Sequence, residues 1–125
     1  MKNIKRLGIC MNHSIAYLME LKNETIVTNT VVSELSDHSK EFNFNKGEKL
    51  IHKKEQHLQL SYYKKIGDII KKYQDVVLFG PTDAKNELLN LIQADHLFEG
   101  IKIEVRNSDK MTVSQMQTFV SEYFK

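Results

Sequence analysis

From Leu7 to Val32 the apolar and β-branched residues return at every second position, broken only at Asn12-His13-Ser14 and Lys22-Asn23-Glu24. Leu7, Ile9 and Met11 form the first set, Ile15, Tyr17, Met19 and Leu21 the second, and Ile26, Thr28, Thr30 and Val32 the third. A period of two is the period of a strand. The breaks hold residues that tolerate turns and are too short for a crossover, so the three strands must run as an antiparallel meander.

The pattern is lost from Leu35 to about Ile51, which reads as a long irregular loop, uncommon inside a compact domain and often functional. Phe42 and Phe44 are expected to pin part of it to the body. From His52 a helix is expected: Tyr62 or Tyr63, Ile66, Ile69, Ile70 and Tyr73 recur at spacings of three and four, with Lys64, Lys65, Asp68, Lys71 and Lys72 on the other face. Val76-Val77-Leu78-Phe79 reads as a strand covered on both sides. Gly80-Pro81-Thr82-Asp83 turns the chain, with Pro81 suited to a helix's first turn and Asp83 to its positive end.

A second helix follows through Leu88, Leu91 and Ile92, and Gly100 closes the next connection. Ile101, Ile103 and Val105 alternate as a fifth strand. Thr112-Val113-Ser114-Gln115 has the spacing of a capping box, and the last helix is expected to bury Val113, Met116, Val120 and Phe124. Helix crossovers return the chain parallel and right-handed, so strand four docks beside strand one and strand five beyond it. The expected architecture is an α/β domain with a mixed five-stranded sheet of order 3-2-1-4-5, strand two antiparallel to the rest, and three main helices. This is the ribonuclease H-like arrangement. A length of 125 residues with 41% hydrophobic content suits one such domain over residues 1–125.

Composition narrows the chemistry. One cysteine, Cys10, excludes a disulfide framework or a multi-cysteine zinc site, and it reads as a small core residue in mid-strand. No apolar run is long enough to span a bilayer, and no signal pattern opens the chain, so a cytoplasmic protein without membrane contact is expected. The net charge is only +2, yet the stretch from Lys40 to Lys72 holds nine lysines against four acids, a net of +5 that leaves −3 elsewhere. Such a stretch is either a solvated helix face or a basic face that meets phosphate.

Ribonuclease H-like nucleases hold two metals about 3.5–4 Å apart on clustered carboxylates. Here the first strand ends in neutral Asn12, Val76–Phe79 carries no acid, and Glu20, Asp75 and Asp83 are scattered. His52 and His57 stand roughly 140° apart on an ideal helix and do not suit one ion. No metal and no cofactor is therefore expected. His13, beside Asn12 in the first turn, is suited to hydrogen-bonding the backbone or to recognition. Gly80 to Leu88 is a strand-to-helix turn with Lys85 on the first helical turn, a place for an anion. It lacks the second glycine and the Gly-Lys-Ser/Thr ending of a P-loop.

The string Val76-Val-Leu-Phe-Gly-Pro-Thr-Asp-Ala-Lys-Asn-Glu-Leu88 resembles the strand-Gly-Pro-x-x-x-Lys segment in the middle domain of archaeal and eukaryotic class-one peptide-chain release factors and of the ribosome-rescue protein Pelota. Leu7-Gly-Ile-Cys-Met-Asn-His-Ser-Ile-Ala16 is similar to small bacterial release-factor-like, translational-machinery proteins, in which an Asp-His pair commonly stands where this chain has Asn12-His13. The resemblance implies the same fold order and a surface for the ribosome or RNA. It does not bring peptidyl-tRNA hydrolysis, because the Leu35–Leu50 segment, at the place of the release factors' Gly-Gly-Gln loop, has no such tripeptide.

The expectation is thus a non-catalytic, translation-associated module that binds ribosomal RNA or tRNA. Its contacts would come from Lys46, Lys49, Lys53, Lys54, Lys64, Lys65, Lys71 and Lys72, with Gly80 and Lys85 at the anion-friendly turn and Asn12, His13, His52 and His57 for recognition. Two other readings stand beside it. One is a protein-binding adaptor or homodimer that uses a sheet face or Phe42 and Phe44. The other is a hydrolase of nucleic acid or tRNA esters, with its site at Asn12, His13 and the segment near His52 and His57.

Overall fold

The computed structural model describes residues 4–23, 25–33 and 48–125, with side chains from residue 56 onward in the first helix. The three alternating runs form β1 (Arg6–Met11), β2 (Ile15–Lys22) and β3 (Thr25–Val32). They pair antiparallel in sequence order, with Leu7 opposite Glu20 and Glu20 opposite Val27. Asn12 closes the first hairpin because its side-chain oxygen accepts hydrogen bonds from the amides of Ser14 at 2.8 Å and Ile15 at 2.9 Å. Asn23, at φ 55°, supplies the left-handed residue of the second turn.

Helix α1 (Glu48–Ile70) carries the chain to β4 (Asp75–Gly80), which docks parallel beside β1. Helix α2 (Ala84–Gln93) and a short 3-10 turn (His96–Phe98) lead to β5 (Lys102–Asn107), parallel to β4, and α3 (Val113–Tyr123) ends the fold. The sheet order is 3-2-1-4-5, as read from the sequence. β1 and β4 lie inside the sheet and are covered on both faces, which is why Leu7 to Met11 and Val76 to Gly80 are buried without interruption.

The strand period divides the core. Leu7, Ile9 and Met11 of β1 meet Tyr62, Ile66 and Ile70 of α1 and Leu88 and Ile92 of α2 on one face. Cys10, Met19, Val77 and Phe79 meet Met116 and Val120 of α3 on the other. Phe119 stacks on Phe79 with ring centroids 4.2 Å apart. Gly8 lets α3 come close, since a Cβ there would lie 2.3 Å from Val120 Cγ2. At one margin, β5 carries a row of alternating charge in which Glu104 accepts from Arg106 at 2.8 Å and faces Lys102 at 3.8 Å.

Several expectations need correction. The first helix begins at Glu48, so positions 48–51 of the expected irregular loop are helical. Residues 34–47, with Phe42, Phe44 and Lys46, lie outside the described residues. Pro81 precedes α2 by three positions instead of sitting in its first turn, and Asp83 occupies the N-cap position without a side-chain capping bond. Val113 is 41% exposed and Leu91 43%, so neither belongs to the core, while Phe124 packs half-buried against the α3 cluster. Strand four does open on an acid, Asp75, but it faces Arg6 at 4.0 Å. That is the amino-terminal end of both strands, six residues or about 20 Å along β1 from Asn12.

The capping box forms as its spacing requires. Thr112 Oγ1 accepts from the Gln115 amide at 3.2 Å, and the Thr112 amide donates to Gln115 Oε1 at 2.9 Å. Thr112→Ala removes the first bond and should lower stability by about 1 kcal/mol. Urea unfolding checks this, and an unchanged midpoint would contradict the role assigned to the cap.

Candidate nucleic-acid interface

The carboxyl ends of β1 and β4, the β1–β2 hairpin and the start of α2 meet at one end of the sheet, and Ser33 joins them there by donating a hydrogen bond from its amide to Ser14 O at 2.7 Å. Two adjacent tyrosines of α1 reach down to this end. Tyr62 donates its hydroxyl to Asn12 O at 2.9 Å, and Tyr63 donates to Glu87 Oε1 at 2.6 Å. The other oxygen of Glu87 lies 3.2 Å from His13 Nε2, and Gln59 Nε2 donates to His13 O at 3.4 Å. Hairpin, α1 and α2 are thereby stitched into one polar cluster.

The cluster sets its own protonation preferences. The Tyr63 hydroxyl, then the His13 imidazole, hold the Glu87 carboxyl below its ordinary range, although partial burial works against them. Burial, then the bond to Glu87, pushes the Tyr63 hydroxyl upward. His13 remains about half open to water, with side-chain exposure of 44%, while its Nε2 is held by Glu87. Sequence reading found Asn12 and His13 but not Glu87, Tyr63 or Gln59. Glu87 stands 74 positions from His13, and no local period carries such a contact.

The lysines divide into three groups. Lys64, Lys65, Lys71 and Lys72 are exposed on and just after α1, whose opposite face buries Leu58, Tyr62, Tyr63, Ile66 and Ile70. Lys71 pairs with Asp68 at 3.4 Å and lies 5.3 Å above the Phe98 ring. Lys64 and Lys71 rim a groove of about 320 Å³ between α1 and α2, floored by Gly67, Leu88 and Phe98. Lys49, Lys53, Lys54 and His52 fall on the first half of α1, where only the backbone is described. His57 is exposed on α1 and makes no hydrogen bond to the hairpin among the described residues.

Lys85 is the exception. It is 2% exposed, and its ammonium turns inward to donate to Thr82 O. The amides at the start of α2 are also engaged: Ala84 N meets Thr82 Oγ1 at 3.3 Å, and Asn86 N and Glu87 N meet Asp83 O at 2.9 and 3.0 Å. Gly80 is buried as well. The Lys85 ammonium and these three amides are thus engaged within the turn read as a place for an anion. On the α3 side of the same end, a cavity of about 340 Å³ is lined by Asn12, Tyr17, Pro81, Lys110 and Met116, and its cation, Lys110, went unnoticed in the sequence. Among the described residues no three His, Cys, Asp or Glu side chains converge on a possible metal position. No described helix is long and apolar enough to cross a membrane.

The sheet order and the helices on both faces are shared with a domain of solved translation termination factors and Pelota proteins, a likeness of fold. In particular, Thermoplasma acidophilum Pelota matches with a TM-score of 0.62 at 15% identity, over 94% of this chain and 32% of that one. Archaeoglobus fulgidus Pelota matches with a TM-score of 0.63 at 9% identity, over 98% of this chain and 32% of that one. An archaeal translation termination factor matches at 0.58 and 13% identity, over 94% and 34%. The resemblance read from the sequence thus holds in the fold. The chain spans about a third of the length of these neighbours. No protein-family description matches the sequence, and no curated protein matches it.

Proposed function

We propose that this chain is a non-catalytic, translation-associated module of the cytoplasm that contacts ribosomal RNA or tRNA through the outward face of α1. The observation that carries the reading is the placement of Lys64, Lys65, Lys71 and Lys72, all exposed with a single acid, Asp68, among them, on a domain whose fold is shared with an archaeal translation termination factor. Lys49, Lys53 and Lys54 continue the same basic stretch of sequence on the first half of α1, and Lys46 precedes them in the chain. Lys85 and Gly80 take no part, because both are buried. Contacts of this kind neutralise phosphates, gain from counterion release and carry little base specificity.

Co-sedimentation with ribosomes on sucrose gradients tests the reading. The protein should travel with ribosomes at low salt and leave them as salt rises. Reversing two exposed charges, Lys64→Glu with Lys72→Glu, should weaken association and reduce the slope of log affinity against log salt by about two. Protein that stays at the top of the gradient at low salt, or a slope untouched by the reversals, would sink it.

A further inference from the structure

Among the described residues, strand β3 ends the sheet and pairs on one side only, with β2, keeping that register unbroken from Thr25 to Val32. In an antiparallel ladder every second residue of such a strand points its amide and carbonyl away from the neighbour, and these groups need a partner or water. Natural sheet margins are usually guarded by charge, proline, a bulge or shortness. β3 has none of these. Its sequence, Thr-Ile-Val-Thr-Asn-Thr-Val-Val, carries no charge and no proline, and every residue but Asn29 is β-branched. Val27 is 43% exposed and Val32 46%. The opposite margin, β5, is guarded by Lys102, Glu104 and Arg106.

We infer that β3 is an association edge for a second copy of this chain, the two β3 strands pairing antiparallel across a two-fold axis. A second copy fits because the strand is uncharged. Laid antiparallel on itself it sets no like charges opposite each other, its β-branched residues make favourable cross-strand pairs, and the contact is isologous. A charged foreign strand would find no counter-charge there. One strand pair with two flanking valines is a small interface, so the dimer dissociates at a concentration on the order of tens of micromolar. The inference stands apart from the RNA reading.

Protein freed of nucleic acid and sedimented from about 5 to about 500 µM, a range that brackets such a constant, should pass from monomer to dimer. Val27→Lys with Asn29→Lys should stay monomeric throughout, as should Val27→Glu with Asn29→Glu, and mixing the two variants should restore a dimer. In the unaltered protein, hydrogen exchange at β3 amides should slow as concentration rises, which keeps the test open if a variant fails to fold. A monomer over the whole range overturns the inference, as does undiminished dimerisation of the lysine variant. So does a β3 edge already protected in the dilute monomer, which would show it occupied within one chain.

Discussion

Gly80→Ala should destabilise the domain by about 3 kcal/mol or more, measured by equilibrium urea unfolding. Two causes act together. Gly80 has φ +144°, a conformation that L side chains rarely adopt, and a Cβ there would lie 2.3 Å from the backbone oxygen of Met11. The obstacle is main chain in the neighbouring strand, so no side-chain rotation relieves it, and β1 and β4 must separate where they lead into the hairpin and α2. Gly100 is the internal control. It also has a positive φ, +88°, but an added Cβ meets nothing within 4 Å. Gly100→Ala should therefore cost only about 1 kcal/mol, from backbone strain alone. Equal losses at the two glycines would refute the close approach of β1 to β4.

Alkaline pH should destabilise the protein steeply from about pH 9 upward, through the buried thiol and tyrosines. Burial pushes the Cys10 thiol from 9.0 up to about 11, with the Lys85 ammonium pulling slightly the other way. Burial likewise raises Tyr62 and Tyr63, and it raises Tyr73 and Tyr123 from 10.0 to about 12 with help from their bonds to Glu20 and Glu104. In each case the folded state keeps a proton that the unfolded chain releases. Stability is intact below the unfolded values and falls as pH rises, beginning near 9 for the thiol and near 10 for the tyrosines.

Each such buried group removes about 1.4 kcal/mol per pH unit inside its window. By pH 11, Cys10, Tyr62 and Tyr63 together cost roughly 4 to 5 kcal/mol, comparable with the whole stability of a small domain. Tyr73 and Tyr123 are more open to water and add less. The urea midpoint should be flat between about pH 7 and 8.5 and fall steeply above pH 9, and Cys10→Ala should delay the onset. A midpoint unchanged to pH 11 would show that these groups are not buried as described.

The sheet was legible because its constraints are local. Gaps as short as Asn12-His13-Ser14 admit only hairpins, and helix-length crossovers admit only parallel returns. The orientation of single side chains was legible where period and burial agree, as at Leu7, Ile9 and Met11. Lys85, expected at an anion-friendly turn because of its charge, is buried. Its spacing to Leu88 and Ile92 places it on the buried face of α2, so the signal was present and overruled. Val113 shares the helical period of Met116 and Val120 and yet is exposed, at the first position of α3, since periodicity reports a face and not whether every turn of it is covered. The cluster of His13, Glu87 and Tyr63 could not be read at all, because three distant segments create it only once α1 and α2 lie over the hairpin.

The charged row on β5 sets a limit on growth. A sheet that gains strands at β3 still ends, on its far side, at Lys102, Glu104 and Arg106, whose ammonium, carboxylate and guanidinium would have to shed water before another strand could lie alongside. With one receptive border and one refractory border, a pairing of like with like uses up the receptive border of both molecules. Assembly through the sheet then ends as a finite object, because among the described residues neither margin is left open to the stacking that leads to filaments.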